Sequence, residues 1–306
     1  MTGDMGFALV FSGQGMQHAG MLPWLDEDAF VAHTRRALRV DDWRAALGDP
    51  TWASRNANAQ TLLTGLNLAA WAQLSPSLTS PTAVAGYSVG ELASFAAAGV
   101  FDARTALALA GTRAQAMDRC ADAAPGGLLA VSGVAPAQIE RLCAESGCAV
   151  AIENGSHAVV LGGTLGALNV AEMAVRAAGA SATRLMVNVA SHTTWMQAAA
   201  DEFALALSAL PLRAPSVPLF SNTGDRISSG RQAANALAMQ MAQTVRWSAC
   251  MDHIHMRRVE CVLEIGPGAA LARMWNQRFP DVPARSVDEF RSRPAIVDWV
   301  NRHGSD

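Results

Sequence analysis

The sequence predicts an α/β fold, with a parallel sheet in a large domain and a small α+β domain inserted into it. Short apolar runs typical of buried strands alternate with longer stretches of helical periodicity, which favours parallel strands joined by helices. One such run, residues 83–85, passes through a glycine-flanked turn directly into a helical stretch. Between residues 125 and 190 the predicted order becomes strand, helix, strand, strand, helix, strand, which is the ferredoxin-like order.

The large domain is therefore predicted to be discontinuous, with residues 1–124 and 191–306 on either side of a small domain at 125–190. A chain of 306 residues with 51% hydrophobic and 16% charged residues can bury a substantial core. The formal net charge of −3 gives no broad positive field that would attract nucleic acid or an anionic membrane. All 23 basic residues are arginine, which excludes Schiff-base lysines, a P-loop lysine and a Ser-Lys dyad.

Cysteine usage and the N-terminus favour a cytoplasmic location. The five cysteines are an odd number and form no C-x-x-C pair, which is typical of reduced thiols. The first 13 residues lack a basic segment followed by an apolar core, so we expect no signal peptide. No apolar run reaches the ~18–20 residues that a membrane helix needs.

The central motif lies within residues 82–99, where Gly86-Tyr87-Ser88-Val89-Gly90 separates a predicted strand from a predicted helix. Strand, G-x-S-x-G, helix is the pattern of a nucleophile elbow, and it makes the large domain α/β-hydrolase-like. Glycines on both sides let the backbone turn tightly, and the serine then faces a helix N-terminus that favours a developing anion. The alternative is an ordinary strand–helix turn.

The first half of the chain contains four other predicted elements. These are a strand at Phe7–Phe11, a helix over 23–47, an apolar helix over 58–74 and a helix over 104–117. After the first strand, glycines flank Gln14 in a loop whose N–H groups can face outward, although a simple β-turn would have the same composition. Arg113 is the only charge in its helix between Arg104 and Asp118, so its side chain either extends to water or pairs with an anion.

The second half of the chain predicts the remaining elements. In the small domain these are strands over 128–134, 149–153, 158–161 and 183–189, with helices over 137–145 and 166–178. Beyond it come helices over 194–208, 233–244 and 269–278, and strands over 217–222 and 259–265. The tail after Pro280 gives no clear prediction. His253 and His255 are expected on a surface helix, and no cluster has the spacing of metal ligands.

Eight motifs in order resemble the malonyl-CoA:acyl carrier protein transacylase family, over essentially the whole chain. FSGQGMQ is similar to the family's FPGQGSQ, GYSVGE to GHSxGE, and GTRAQAM to RGxxMQ. IENGSHAVVLGG resembles N-x-N-S-P-x-Q-V-V-I-S-G, and NVASHTTWM resembles V-x-V-P-S-H-x-x-x-M. PLFSN, MQMAQTVRW and LEIGPG follow in the family's order.

The resemblance implies a Ser-His dyad. Ser88 would be the nucleophile, and His192 the base that takes its proton and returns it to the leaving thiol. In this family backbone groups orient the histidine, so no acidic third residue is expected. The backbone N–H groups of Gln14 and Val89 would form the oxyanion hole.

The resemblance also implies the substrates. Arg113 would bind the free carboxylate of a malonyl group, and Gln240 would help to position the histidine and the substrate. The implied reaction is ping-pong transfer from malonyl-CoA through a malonyl-serine to the thiol of an acyl carrier protein, with no bound cofactor or metal. The region between Gln17 and Ser88 also resembles the epsilon subunit of malonate decarboxylase, which implies membership of a multi-subunit complex. A stand-alone enzyme that serves fatty acid synthesis or a polyketide synthase is an equal alternative.

Several positions depart from the family pattern. Tyr87 replaces a histidine, Ser12 a proline, Ala114 a glycine and Ala190 a proline, and Trp195 stands where a smaller residue near the pocket is usual. These changes leave the dyad and the arginine intact but bear on acyl specificity.

Two other functions compete with malonyl transfer. A serine acyl hydrolase that clears acyl groups from carrier proteins would not need Arg113, and the Ser…Asp…His order of hydrolase triads is not evident. A degenerate subunit that only docks carrier proteins would not need to retain both Ser88 and His192.

Overall fold

The computed structural model describes residues 6–304, which form two β-sheets flanked by helices. Residues 1–5 and 305–306 lie outside the described range. Both segments belong to the predicted large domain, and residues 1–5 also belong to the stretch in which no signal peptide is expected. The strands are β1 (Phe7–Phe11), β2 (Ala83–Gly86), β3 (Gly126–Ser132), β4 (Ala149–Gly155), β5 (Ala158–Thr164), β6 (Ser181–Arg184), β7 (Leu219–Phe220), β8 (Arg226–Ile227), β9 (Cys261–Ile265) and β10 (Ala284–Ser286).

Residues 6–304 also contain thirteen α-helices, the last of which follows the last strand. They are α1 (Ala29–Leu38), α2 (Trp43–Ala46), α3 (Pro50–Ser54), α4 (Asn56–Leu74), α5 (Gly90–Ala97), α6 (Ala103–Ala123), α7 (Pro136–Ser146), α8 (Leu165–Ala177), α9 (Gln197–Ser208), α10 (Gly230–Met239), α11 (Trp247–His255), α12 (Ala270–Arg278) and α13 (Arg293–His303).

The large sheet has the order β10-β9-β1-β2-β7-β8, and all its pairings are parallel except that of β7 with β8. Every residue of β1, β2 and β9 is buried, because helices cover both faces of a parallel sheet and its strands are apolar throughout. The carboxyl ends of neighbouring parallel strands meet at one edge. That edge holds the loop after β1, the turn after β2 and the turn after β7, and ligands in such folds bind there.

The small sheet is antiparallel, with the order β6-β3-β5-β4, and α7 and α8 pack on it over a hydrophobic cluster of its own. This is the predicted ferredoxin-like arrangement. Its edge strand β4 is also hydrogen-bonded to the segment that precedes α11. Glu153 N–H donates to the Val245 carbonyl at 2.8 Å, and Val245 N–H donates to the Ala151 carbonyl at 2.9 Å.

The single helix predicted over 23–47 is wrong. The chain instead forms α1 and α2, because the Asp28 carboxylate caps α1 at one end and Arg39 ends it in the left-handed conformation, with φ of +56°. A second cap at Asp42 then starts α2.

Several other boundaries differ from the prediction. Of the strand predicted over 183–189, only residues 183–184 form a strand, as the end of β6. Pairing with β3 ends at Arg184, and the chain then turns towards the cleft described below. The strand predicted over 217–222 is reduced to β7, and the helix predicted over 233–244 ends at Met239. The C-terminal tail contributes β10 and α13, which the sequence did not predict.

No helix in residues 6–304 combines the length and apolarity required to cross a membrane. His253 and His255 lie on α11 as predicted, with His255 exposed and stacked on Phe279.

Candidate active site

Ser88 lies on the turn between β2 and α5, in a strained backbone conformation. Its φ is +55°, a region that residues with a Cβ adopt at a cost of about 1–3 kcal/mol. The flanking glycines allow the turn, since a Cβ on Gly86 would lie 2.2 Å from the carbonyl carbon of Gly90, and one on Gly90 would lie 2.3 Å from the Phe11 carbonyl oxygen. The turn therefore projects the Ser88 side chain away from the strand, as a nucleophile elbow does.

His192 completes a hydrogen-bonded pair with the serine. Its Nε2 lies 2.7 Å from Ser88 Oγ, and its Nδ1 lies 2.5 Å from the main-chain oxygen of Gln240. A carbonyl oxygen only accepts, so Nδ1 carries the hydrogen and Nε2 is free to accept the serine proton. No carboxylate from residues 6–304 takes part in this pair.

Burial and a nearby cation keep this imidazole neutral. Only 1% of His192 is exposed. Burial, followed by the positive charge of Arg113, lowers the pKa of His192 to about 3, against a smaller raising effect of the bond to Gln240. The histidine is thus held in the form that can act as a base.

The loop after β1 packs against the elbow. A Cβ on Gly13 would lie 2.7 Å from the Tyr87 carbonyl oxygen and 3.5 Å from Ser88 Cβ, so only glycine permits this approach. Within residues 6–304 neither Gln14 N–H nor Val89 N–H has a hydrogen-bond acceptor. Two amides without an acceptor near a serine hydroxyl are the groups from which an oxyanion hole is built.

Arg113 is buried behind the dyad among uncharged partners. It is 1% exposed, its Nη1 donates to Gln60 Oε1 at 2.7 Å, and its Nη2 reaches Gln240 Oε1 at 3.4 Å. The Nε–H has no acceptor among the described residues. Burial lowers the pKa of Arg113 to about 10, so the guanidinium stays charged near pH 7. The structural ion pair considered from the sequence is not formed, because the two contacts are to amide oxygens.

A cleft of about 240 Å³ opens over the dyad. Ser88, His192 and the Gln14 loop line it, and the small sheet contributes the apolar side chains of Leu128, Ala130, Ile152 and Val160. Mostly apolar walls around a few convergent polar groups are typical of a site for a small organic ligand.

Two of the departures from the family pattern have different positions in this cleft. Tyr87 lines it, donates a hydrogen bond to Asn154 Oδ1 at 3.1 Å and packs edge-on against Trp247. Trp195 does not line the cleft, and it packs half-buried against the larger of the two hydrophobic cores instead.

Comparison with known proteins agrees with this geometry. The family model described as "Acyl transferase domain" matches residues 8–293. The chain belongs to the acyl transferase family. The malonyl CoA-acyl carrier protein transacylase of Escherichia coli K12 is 30% identical over 311 residues, covering 95% of this chain and 99% of that protein.

Solved structures of other acyl transferases superpose closely on this one. The acyl-carrier-protein S-malonyltransferase of Burkholderia pseudomallei gives a TM-score of 0.87 at 29% identity, covering 96% of this chain and all of that chain. A malonyl-transacylase solved in complex with a type II PKS acyl-carrier protein gives 0.88 at 28% identity, covering 96% and 99% of the two chains.

Of the six residues predicted for the site, Ser88, His192 and Gln14 line the cleft, and Val89 follows Ser88 in the turn. Arg113 and Gln240 do not line the cleft, and they reach the dyad through the bond from His192 to the Gln240 carbonyl and the contact of Arg113 with Gln240 Oε1.

The structure also adds Gln60 and Asn222, which sequence reasoning missed. Gln60 is fully buried on a helix that has no charged side chain, and Asn222 lies two residues beyond the end of a strand. A polar side chain in either setting is a signal that could have been used.

Proposed function

We propose that this acyl transferase moves a malonyl group from malonyl-CoA to the thiol of an acyl carrier protein, without a bound cofactor. The observation that carries the proposal is a Ser-His dyad with a buried guanidinium directly behind it, joined to the dyad through Gln240. The names of the relatives support the same substrates, since they are malonyl transacylases and one was solved with a carrier protein.

The dyad would act in two half-reactions. In the first, Ser88 Oγ attacks the thioester carbonyl of malonyl-CoA while His192 Nε2 takes the hydroxyl proton. The amides of Val89 and Gln14 would stabilise the resulting oxyanion, which collapses to malonyl-serine as His192 returns the proton to the departing CoA thiol. In the second, the carrier thiol attacks malonyl-serine and loses its proton to the same nitrogen, and Ser88 recovers its hydrogen.

Arg113 would select the acyl group. Its 3.4 Å contact with Gln240 is long and weak, and its Nε–H is without an acceptor among the described residues, so a substrate carboxylate could take these donors. Acetyl-CoA has no carboxylate to offer and would leave a buried cation uncompensated. Hydrolysis of acyl carriers gains no support, because water attack makes no use of a buried guanidinium.

We also infer a cytoplasmic location. All five cysteines are free, in agreement with a reducing compartment, and the chain's proposed CoA and carrier substrates would be met there.

Intact-protein mass spectrometry tests the proposal directly. After brief incubation with malonyl-CoA the wild type should gain one malonyl group, and Ser88→Ala should gain none. Arg113→Ala should lose about 10²-fold in malonylation rate and narrow the preference for malonyl-CoA over acetyl-CoA, since a buried charge pair is worth about 2–5 kcal/mol. Equal labelling of the wild type by acetyl-CoA would contradict malonyl selection.

A second variant tests Arg113 while keeping the guanidinium. Gln60→Glu places a carboxylate on the atom that now accepts from Arg113 Nη1 at 2.7 Å. This internal anion should compete with the malonyl carboxylate and raise KM for malonyl-CoA about tenfold, the equivalent of ~1.4 kcal/mol, with the acetyl-CoA rate unaffected.

A further inference from the structure

Asn222 lies beside the nucleophile elbow because of strand pairing. The register sets Val84 opposite Leu219 and Ala85 opposite Phe220 in the parallel pair β2–β7. Two residues further on, Asn222 therefore stands level with the turn that follows β2. Its side chain is 0% exposed.

The amide of Asn222 contacts the elbow with both of its polar atoms. Oδ1 accepts from Ser88 N–H at 2.7 Å, and Nδ2 donates to the Gly86 carbonyl at 2.5 Å. One planar side chain thus joins the residue that ends the strand to the nucleophile. Within residues 6–304 Oδ1 is the only acceptor for Ser88 N–H.

The backbone of Asn222 is itself held by two hydrogen bonds, one of which comes from the helix that follows the elbow. Its N–H donates to Glu91 Oε1 at 2.5 Å, and its carbonyl accepts from Arg246 N–H at 2.8 Å. Glu91 is 0% exposed and lies in the first turn of α5, directly after the elbow. Elbow, helix and asparagine therefore form a closed ring of bonds.

We propose that Asn222 is a positioning residue that holds Ser88 in its left-handed conformation and keeps Oγ within reach of His192. Serine has a Cβ and prefers negative φ, so the value of +55° needs a partner on the strand side of the turn. Without Asn222 the part-buried Ser88 N–H would lose its one acceptor among residues 6–304. The turn would then relax, and Oγ would move from its 2.7 Å contact with Nε2. This role rests on the proposed use of Ser88 as the nucleophile.

The test compares Asn222→Ala with a matched control, Asn276→Ala. Asn276 also holds one stretch of backbone with both amide atoms, bonding Ala284 N–H at 2.8 Å and the Ala284 carbonyl at 2.9 Å, but at the far edge of the sheet. Rates are measured on folded protein, below the unfolding transition of each variant. The probes are malonyl-CoA and a fluorophosphonate, whose fluoride is displaced when Ser88 Oγ bonds to phosphorus.

Asn222→Ala should slow both reactions about 10²-fold, because a displacement of about 1 Å at a reacting atom has a cost of that size. The loss should fall on kcat, with KM for malonyl-CoA unchanged, and Asn276→Ala should stay within about twofold of wild type. Asn222→Asp is a smaller change, which keeps an oxygen for Ser88 N–H but turns a second oxygen towards the Gly86 carbonyl. We expect its reaction rates to lie between those of the wild type and Asn222→Ala.

Wild-type fluorophosphonate rates in Asn222→Ala or in Asn222→Asp would overturn the inference, as would an equal loss in Asn276→Ala. If the wild type reacts with the fluorophosphonate but not with malonyl-CoA, the proposed acyl donor is wrong. The comparison between the two asparagines still decides the role of Asn222 in that case, since the fluorophosphonate requires only an activated serine.

Discussion

His192 shows how the surroundings of one residue can set its chemistry. The ring is buried, a carbonyl oxygen fixes its tautomer, and the cation that faces it opposes protonation. A carboxylate partner would raise the pKa of His192, whereas the Gln240 carbonyl orients the ring with a weaker raising effect. The residue is therefore neutral at physiological pH before substrate arrives.

This leads to a prediction about pH. The pKa of His192 is lowered to about 3, below the ordinary value of 6.5, so the base should stay neutral and the acylation rate of Ser88 flat from pH 8 down to pH 5. Rapid-quench mass spectrometry after a brief pH jump measures this rate. A rate that falls to half near pH 6.5 and keeps falling below it would contradict this, because it would indicate an ordinary histidine.

The lowered pKa of His192 also makes the stability of the folded protein fall as pH decreases. The unfolded chain binds a proton on His192 near pH 6.5, and the folded site rejects it until about pH 3. The contribution of this residue to folding is thus complete above pH 6.5 and is lost as pH falls from there towards 3. The short pH jump keeps this loss separate from the rate.

At the scale of elements, the elbow depends on glycines that pack backbone against backbone. Gly90 begins α5 directly over the end of β1, where a Cβ would meet the Phe11 and Ser12 carbonyl oxygens at 2.3 and 2.9 Å. Main-chain oxygens in a central strand cannot move aside as a flexible side chain can.

We therefore expect Gly90→Ala to lower the free energy of unfolding by about 3 kcal/mol, in the range of overpacked cores. Gly111→Ala is the matched control, because Gly111 lies within α6 and a Cβ there would meet nothing within 4 Å. That change should stabilise the protein by about 0.5–1 kcal/mol. Denaturant titration compares the two variants, and similar effects of both would show that the close approach at Gly90 has no energetic importance.

At the scale of the whole molecule, the site lies between the two sheets and depends on bonds that cross from one to the other. Tyr87 follows β2 of the large sheet, and its hydroxyl donates to Asn154 on β4 of the small sheet. Thr244 Oγ1 donates to the Val150 carbonyl at 2.7 Å and supports the same edge strand. These contacts hold the small sheet against the large sheet beside the cleft that Ser88 lines.

A double-mutant cycle measures this coupling. Tyr87→Phe and Asn154→Ala should each lower the free energy of unfolding by about 1 kcal/mol, and the double variant should lose little more than either alone. Chemical denaturation of the four proteins gives the interaction energy. Strictly additive losses would mean that the bond across the cleft contributes nothing to stability.

The sequence by itself determined those features that depend on short-range sterics and periodicity. The apolar runs of β1, β2 and β9 and the glycines around Ser88 predicted buried strands and a tight elbow, since both follow from neighbouring residues. The strand and helix order at 125–190 predicted the ferredoxin-like sheet. The family motifs predicted which residues would gather around Ser88, because their order along the chain is itself specific.

Tertiary structure alone decided what depends on partners far along the chain. β6 ends at Arg184 because pairing with β3 ends there, and β10 forms because β9 offers it an edge to pair with. Composition alone could predict neither the end of β6 nor the presence of β10. The Gln240 carbonyl meets His192, and the Asn222 amide meets Ser88, across separations of 48 and 134 residues. Such contacts arise when parallel strands and their loops are brought to one edge of a sheet, and no local pattern encodes that meeting.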